Sequence, residues 1–423
     1  MTELNLPNVL TTTRFLEVME DIVKENRDIY FVTNDVSNFK FINDFYGIEE
    51  GNKVLEEISR FFYTENPHCL AVCRTGSDQF RGVMNRCGRS VEECVQDIVS
   101  MNEEFEERLS QRYPDVFIHM YTGVYFLRDG DTEVRKAMDY AHSAKKMIKG
   151  KYNIKCQVYT PEDGVQTLNR METMTMFNDA CSTDNLLMFL QPKMSVEQNK
   201  VIGAEALVRI KLESGEIVLP GRFVPVLEET GMIGRLDEIM IEKTFKLIRK
   251  WMDDGVEVVP ISVNVSRQKF SAKDFASFVI SLQKKYNVPP KYLEFEVLET
   301  TFVDAMDYIV DAINALRDYG FRISVDDFGS GYSSLNQIAN IPADVIKIDR
   351  VFANTCFTTV KGRTVIKTLI QLLNNINYSV VFEGIETKEQ CDMAADFGCD
   401  SIQGFFFSRP IPVEEFEKKY IYV

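Results

Sequence analysis

Apolar and polar positions follow two different rhythms along the chain. In the second part, short apolar runs recur at LLMFLQP, VIGAEAL, VVPISVNVS, LEFEVLE, FRISVDD, DVIKID, YSVVFEG and SIQGFFF. Segments of helical period separate most of them, among them Leu236–Met252, Phe275–Tyr286, Tyr308–Tyr319 and Thr364–Asn375. Eight such strands with helical crossovers predict a (β/α)8 barrel. The first part, to about Thr160, reads strand (Tyr30–Val36), helix (Gly51–Phe62) and a strand pair around Arg74–Asp78. Helix (Val91–Gln111), strand (Phe117–Phe126), helix (Thr132–Lys149) and strand (Lys155–Tyr159) follow. That is a βαββαβ order with one extra strand, an α/β sandwich of ferredoxin-like type. The polar stretch Tyr159–Gln166, with Pro and Gly, marks the boundary. The expected domains are residues 1–160 and 167–423, with a helix Leu168–Ser182 leading into the second.

The barrel strands are interrupted in one consistent way. Glu205, Asn264, Glu296, Asp326, Asp327, Lys347, Glu383 and Gln403 lie inside or at the end of otherwise apolar runs. A barrel gathers the C-terminal ends of its strands on one face, so these groups are expected to converge there. A single glutamate at a strand end is ordinarily a solvated rim residue. A whole set of clustered carboxylates is costly unless cations neutralise it, and metal ions are the simplest compensation.

Composition narrows the chemistry. The chain has 423 residues, 45% of them apolar, and a net charge of −16. That charge argues against a broad basic face for nucleic acid. No apolar run approaches a membrane span and no signal peptide is visible. Nine cysteines without a CxxC pair read as reduced, mostly buried thiols in the cytoplasm. The three histidines, His68, His119 and His142, all precede residue 165. The barrel therefore has no Ser-His-Asp triad and no His-rich zinc site. Oxygen-ligated Mg²⁺ or Mn²⁺ is the metal its carboxylates suit.

The motifs from about residue 170 to 420 resemble the EAL family of cyclic di-GMP phosphodiesterases. They are Gln191-Pro192, Glu205-Ala206-Leu207-Val208-Arg209, SVNVS with Asn264, EVLET with Glu296 and Glu299, and DDFGSGYSSL from Asp326. Pro342-Ala343-Asp344 leads to Lys347-Ile348-Asp349-Arg350, then Glu383-Gly384-Ile385-Glu386-Thr387 and Gln403-Gly404. The resemblance implies that Glu205, Asn264, Glu296 and Asp326 bind one metal, and that Asp326, Asp327 and Glu383 bind a second. Lys347, with Glu383 beside it, would orient or activate the attacking water. Gln191, Leu207, Arg209, Glu386 and Gln403 would position cyclic di-GMP, with linear 5′-pGpG as product. The loop DFGSGYSS would couple the site to a homodimer interface between barrels. Leu190, Leu298 and Ser330 depart from the family pattern, and none of them removes a ligand. A receptor that binds cyclic di-GMP without cleaving it is the competing expectation, disfavoured because the ligand set is complete.

The first 160 residues resemble a GGDEF domain, the palm-type fold of diguanylate cyclases. DVSNFKFIND starts at Asp35 and the hairpin is Arg74-Thr75-Gly76-Ser77-Asp78-Gln79-Phe80. Ser77 replaces a glycine where backbone approaches phosphate, and Gln79 replaces a metal-ligating glutamate. Asn52 stands in the place of a base-reading aspartate, and Pro67-His68-Cys69-Leu70 in the place of an inhibitory Arg-x-x-Asp site. The domain is thus expected to be a catalytically dead cyclase, and a bifunctional enzyme is disfavoured. The resemblance implies that Asp35, Asn43, Asp78, Gln79 and Lys145 would form its degenerate GTP site. Two roles stand side by side for it, a regulator that holds GTP and a purely structural or dimerising domain.

Overall fold

The structure, a computed structural model, describes residues 6–76, 78–131, 133–272, 274–303, 307–329 and 341–422. The chain divides into two units between Asn169 and Arg170.

The first unit is built on β1 (Ile29–Val36), β2 (Cys69–Arg74), β3 (Phe80–Asn85), β4 (Met120–Phe126) and β5 (Cys156–Val158), in the order β2-β3-β1-β4-β5. Strand β1 is antiparallel to β3 and β4, and β5 adds parallel to β4. This is the expected sandwich with one extra strand. Alternation along β1 feeds two cores. Ile29 and Phe31 pack with Phe15 and Met19 of helix Thr12–Glu25 and with Ala137 and Ala141 of helix Val134–Ile148. Tyr30 and Val32 pack with Leu55, Ile58, Phe105 and Leu109 on the other side. The same alternation sends Asp35 toward helix Val134–Ile148. That helix lies close because Gly123 of β4 has no side chain: a Cβ there would sit 2.0 Å from the Ala141 carbonyl oxygen.

Several elements differ from expectation. Helix Thr12–Glu25 was hidden by three β-favouring threonines, yet Phe15, Met19 and Val23 form a buried stripe and the Thr11 hydroxyl caps the Arg14 N–H. Helix Phe39–Tyr46 is short and ends at Gly47 with φ +94°. Strand β4 starts at Met120 rather than Phe117, and the strand pair flanks the turn instead of occupying it. The polar stretch before residue 167 is no loop, since a helix runs from Pro161 to Ser182. Thr160 and Asp163 cap it reciprocally, the Thr160 N–H donating to Asp163 at 2.7 Å and the Asp163 N–H to the Thr160 hydroxyl at 3.3 Å. Proline is well tolerated in a first helical turn.

The second unit contains β6 (Leu186–Ser195), β7 (Val201–Lys211), β8 (Ile217–Val218), β9 (Ile261–Asn264) and β10 (Leu293–Leu298). Then come β11 (Arg322–Phe328), β12 (Val345–Ile348), β13 (Ser379–Phe382), β14 (Ser401–Ile402) and β15 (Ile411–Pro412). Strands β6, β7 and β9 to β14 pair in a ring and close an eight-stranded barrel, with β8 and β15 as short additions. All eight apolar runs became barrel strands. One departs from a (β/α)8 barrel: β6 runs antiparallel to both β7 and β14. Only residues 196–200 join β6 to β7, too few for the crossover that a parallel pair needs. The four expected helices are present, as Ile233–Asp253, Phe275–Tyr286, Asp307–Tyr319 and Val360–Asn375. Among the described residues no helix is long and apolar enough to cross a membrane.

Candidate active site

Barrel strands turn alternate residues inward. On β12, Ile346 and Ile348 join the apolar layer outside the strands, whereas Lys347 points the other way and is 1% exposed. Its ammonium lies 2.6 Å from Glu296 Oε2, 2.9 Å from Asp326 Oδ1, 2.7 Å from Glu383 Oε1 and 3.6 Å from Glu205 Oε2. One lysine thus faces four carboxylates from four strands or strand ends. Burial acts to lower its pKa, but these carboxylates outweigh it and hold the value well above that of an ordinary lysine.

The carboxylates respond to the same crowding. Burial, with Glu296 next in weight, lifts Glu205 to about 7. Burial lifts Glu383 to about 8, against the pull of Lys347. Burial acts upward on Glu296 too, yet Lys347 and Lys193 outweigh it and hold that carboxyl at about 2. Asp327 is raised by burial and by Asp326.

Strand β11 explains how two adjacent aspartates serve one site. Its pairing with β12 slips between Val325 and Phe328, and Asp327 takes φ +55°. In a regular strand Asp326 and Asp327 would face opposite sides; the bulge re-aims one of them. Oxygens of Glu205, Glu296 and Asp326 come within 4.8 Å of one another, and so do those of Asp326, Asp327 and Glu383. Asp326 belongs to both groups. Acceptor-only carboxylates at that spacing suit a hard divalent cation. Asn264 donates to Glu205 Oε1 at 2.9 Å.

A cavity of about 230 Å³ opens beside this cluster. Gln191, Glu205, Leu207, Asp326, Lys347, Glu383, Glu386 and Gln403 all reach its wall. Gln403 donates to Gln191 Oε1 at 3.1 Å and Glu205 Oε2 at 2.6 Å, while its own buried Oε1 has no hydrogen-bond partner. Four expected residues, Asn264, Glu296, Asp327 and Arg209, are not on the cavity wall, although Glu296 and Asp327 belong to the adjoining carboxylate groups. Asn264 and Glu296 line a neighbouring, mainly apolar cavity of about 360 Å³. Arg209 donates to the Val208 carbonyl at 2.7 Å and stacks over Phe189, and burial lowers its pKa. The DFGSGYSS loop lies outside the described residues from Ser330 onward.

Sequence reasoning missed Arg350 and Phe405 at the cavity wall, and the pair Lys193 and Glu294 within the barrel. Arg350 bonds Glu386 at 2.9 Å. Lys193 and Glu294 were detectable by alternation, two residues from Gln191 and Glu296 on the same faces.

In the first unit, Asp35 is 2% exposed and meets Lys145 at 3.0 Å and Lys149 at 2.9 Å. Burial pushes its carboxyl up, but the two lysines outweigh it and keep the pKa below the usual aspartate range. Lys149 was not anticipated. Asp78 adds its field to both lysines from the turn between β2 and β3, where Gln79 also lies. Asn43, on helix Phe39–Tyr46, packs over Gly51, where a Cβ would sit 1.9 Å from its Oδ1. Ser77 is outside the described residues.

The EAL domain family matches residues 174–410, and the diguanylate cyclase GGDEF domain family matches residues 4–153. Signaling protein YkoW of Bacillus subtilis is 30% identical over 397 residues, 93% of this chain and 49% of YkoW. The bifunctional diguanylate cyclase/cyclic di-GMP phosphodiesterase MucR of Pseudomonas aeruginosa is 28% identical over 422 residues, 97% of this chain and 60% of MucR. The chain thus spans about half to three fifths of these relatives. A solved structure, the PaMucR phosphodiesterase in complex with c-di-GMP, aligns at 31% identity with a TM-score of 0.55, covering 58% of this chain and 99% of that one.

Proposed function

This chain belongs to the EAL family, with a GGDEF domain in tandem ahead of the barrel, and on that premise we propose that the barrel hydrolyses cyclic di-GMP to linear 5′-pGpG with two divalent cations, Mg²⁺ or Mn²⁺. The observation that carries this reading is the pair of carboxylate groups sharing Asp326 at the edge of the Gln191–Gln403 cavity. Glu205, Glu296 and Asp326, with Asn264 beside them, would hold one cation; Asp326, Asp327 and Glu383 would hold the other. Such a pair supplies a nucleophilic water near neutral pH and neutralises charge developing on the phosphoryl group.

The chain's own groups do the rest. Lys347 has only donors, so it can orient a water through its lone pair or hold a phosphoryl oxygen, with Glu383 next to it. The unpartnered Gln403 Oε1 accepts from a substrate donor. Gln191 and Leu207 shape the wall, and Glu386 fixes Arg350 at the mouth. Arg209 reaches a phosphate only by leaving the Val208 carbonyl, after which its fork geometry suits the anion. The GGDEF domain is read as catalytically inactive, with GTP as a candidate ligand at Asp35, Asn43, Asp78, Gln79 and Lys145. The barrel is the candidate homodimer contact.

The test is a turnover assay on the purified full chain with cyclic di-GMP and Mn²⁺ or Mg²⁺. Metal-dependent appearance of 5′-pGpG is expected. Binding without turnover would replace the enzyme by a receptor.

A further inference from the structure

Strand β6 sends Gln191, Lys193 and Ser195 to the inside of the barrel, and all three are buried. Gln191 reaches the cavity. Lys193 lies one pleat deeper, opposite Gly203, and is absent from the cavity wall. A Cβ at Gly203 would meet Lys193 Cδ at an ordinary contact distance of 3.8 Å, so the lysine stem packs directly over this position, and would crowd only the Pro260 carbonyl oxygen, at 3.2 Å.

The Lys193 ammonium contacts two glutamates of β10, Glu294 Oε1 at 2.9 Å and Glu296 Oε1 at 3.0 Å. Lys347 takes the other oxygen of Glu296 at 2.6 Å. Glu296 is therefore gripped on both oxygens, from below by Lys193 and from the mouth side by Lys347. The Lys193 side chain is 9% exposed and those of Glu294 and Glu296 are 8% and 0%, so water does not compete for these contacts. Among the four carboxylates around Lys347, a second lysine contact is recorded only for Glu296 within the described residues.

We propose that Lys193 is a positioning residue for the metal centre: it pins Glu296 Oε1, so that only Oε2, the oxygen on the Lys347 side, would be offered to a divalent cation held with Glu205 and Asp326. The proposal rests on the metal-dependent reading above. Its physical basis is that a ligand carboxylate with one oxygen held by an outer partner cannot turn or chelate through both oxygens, and that such partners commonly matter 10–100-fold for metal affinity. Glu294, one pleat below Glu296, completes the clamp by fixing Lys193 from its far side. The plain alternative is a structural ion pair between Lys193 and Glu294 that stabilises the barrel and ignores the metal.

Mn²⁺ binding to the full chain, followed by electron paramagnetic resonance without substrate, separates the two. Lys193→Met should weaken Mn²⁺ at the Glu205–Glu296–Asp326 group by ~10–100-fold. The double variant Lys193→Met/Glu294→Gln removes one charge of each sign, so it is the easier one to fold, and it also frees Glu296 Oε1. It should show a loss of the same order. Emission of the single, fully buried Trp251 reports folding in each case. A folded variant of either kind with the wild-type Mn²⁺ affinity overturns the clamp and leaves the metal reading standing. Wild-type protein that binds no Mn²⁺ overturns both.

Discussion

The two units solve the problem of a buried charge in opposite ways. In the barrel, one lysine, Lys347, is surrounded by Glu205, Glu296, Asp326 and Glu383. In the N-terminal sandwich, one aspartate, Asp35, is surrounded by Lys145 and Lys149. The first arrangement keeps a surplus of acid that a divalent cation can complete. The second has neutralised its acid already, and the neighbouring position that could restore a carboxylate holds Gln79. Two domains met in one chain thus differ in whether their charge balance invites a metal. The proposal that the barrel hydrolyses cyclic di-GMP and that the GGDEF domain is inactive turns on this difference.

The comparison breaks most simply at its richest point. Asp326→Ala removes the carboxylate common to both barrel groups and should abolish turnover of cyclic di-GMP and Mn²⁺ binding together. Near-normal hydrolysis by the folded variant would show that the metal set has been placed on the wrong residues. Lys347→Ala is expected to lower the rate constant by ~10²–10⁴-fold at saturating metal. It also leaves four carboxylates facing one another, so metal-free protein should melt at a lower temperature, with Mn²⁺ recovering more stability than in wild type. A lowered melting point with an intact rate constant would make Lys347 a structural counter-ion only.

Much of the barrel was legible because each strand carries its polar residue against an apolar background, as in DVIKID. Alternation alone then places Lys347 inside and its neighbours outside. The direction of β6 was not legible from its own composition: LLMFLQP is equally apolar in a parallel or an antiparallel setting, and only the five-residue connection to β7 decides it. The side-by-side use of Asp326 and Asp327 depends on a bulge, which apolar patterning does not record. Lys193 and Glu294 were overlooked for another reason. Attention to strand ends favours the mouth, whereas this pair lies a pleat below it. Thr160 and Asp163 show the reverse case, a capping signal present in the sequence but outweighed by the nearby proline and glycine.

The N-terminal side of the comparison is tested with GTP. The full chain should form no cyclic di-GMP from GTP and Mg²⁺. Gln79→Glu alone should leave that unchanged, because Asp35 stays committed to Lys145 and Lys149 and Ser77 and Asn52 remain. Product formation by unmodified protein would show that the acid deficit does not silence the domain.

The smallest effect sharpens the account of the sandwich itself, because the two lysines on Asp35 are not equivalent. Lys145 has a side chain only 1% exposed, on the face of helix Val134–Ile148 that Gly123 brings against β4. The side chain of Lys149 is 57% exposed, so solvent screens its contact. Removing Lys145 deletes buried methylenes as well as the inner partner of a 2% exposed aspartate, a loss of about 3 kcal/mol on the scale of broken buried pairs. Removing Lys149 should cost under about 1 kcal/mol, the range of exposed pairs. Hydrogen exchange of the β1 amides in full-length Lys145→Ala and Lys149→Ala gives each loss separately. Equal losses would mean that Lys149, not burial, secures Asp35. The asymmetry expected instead makes Lys145 part of the core and leaves Lys149 as the one cation of the pair that can turn away to meet an anionic ligand at little cost to the fold.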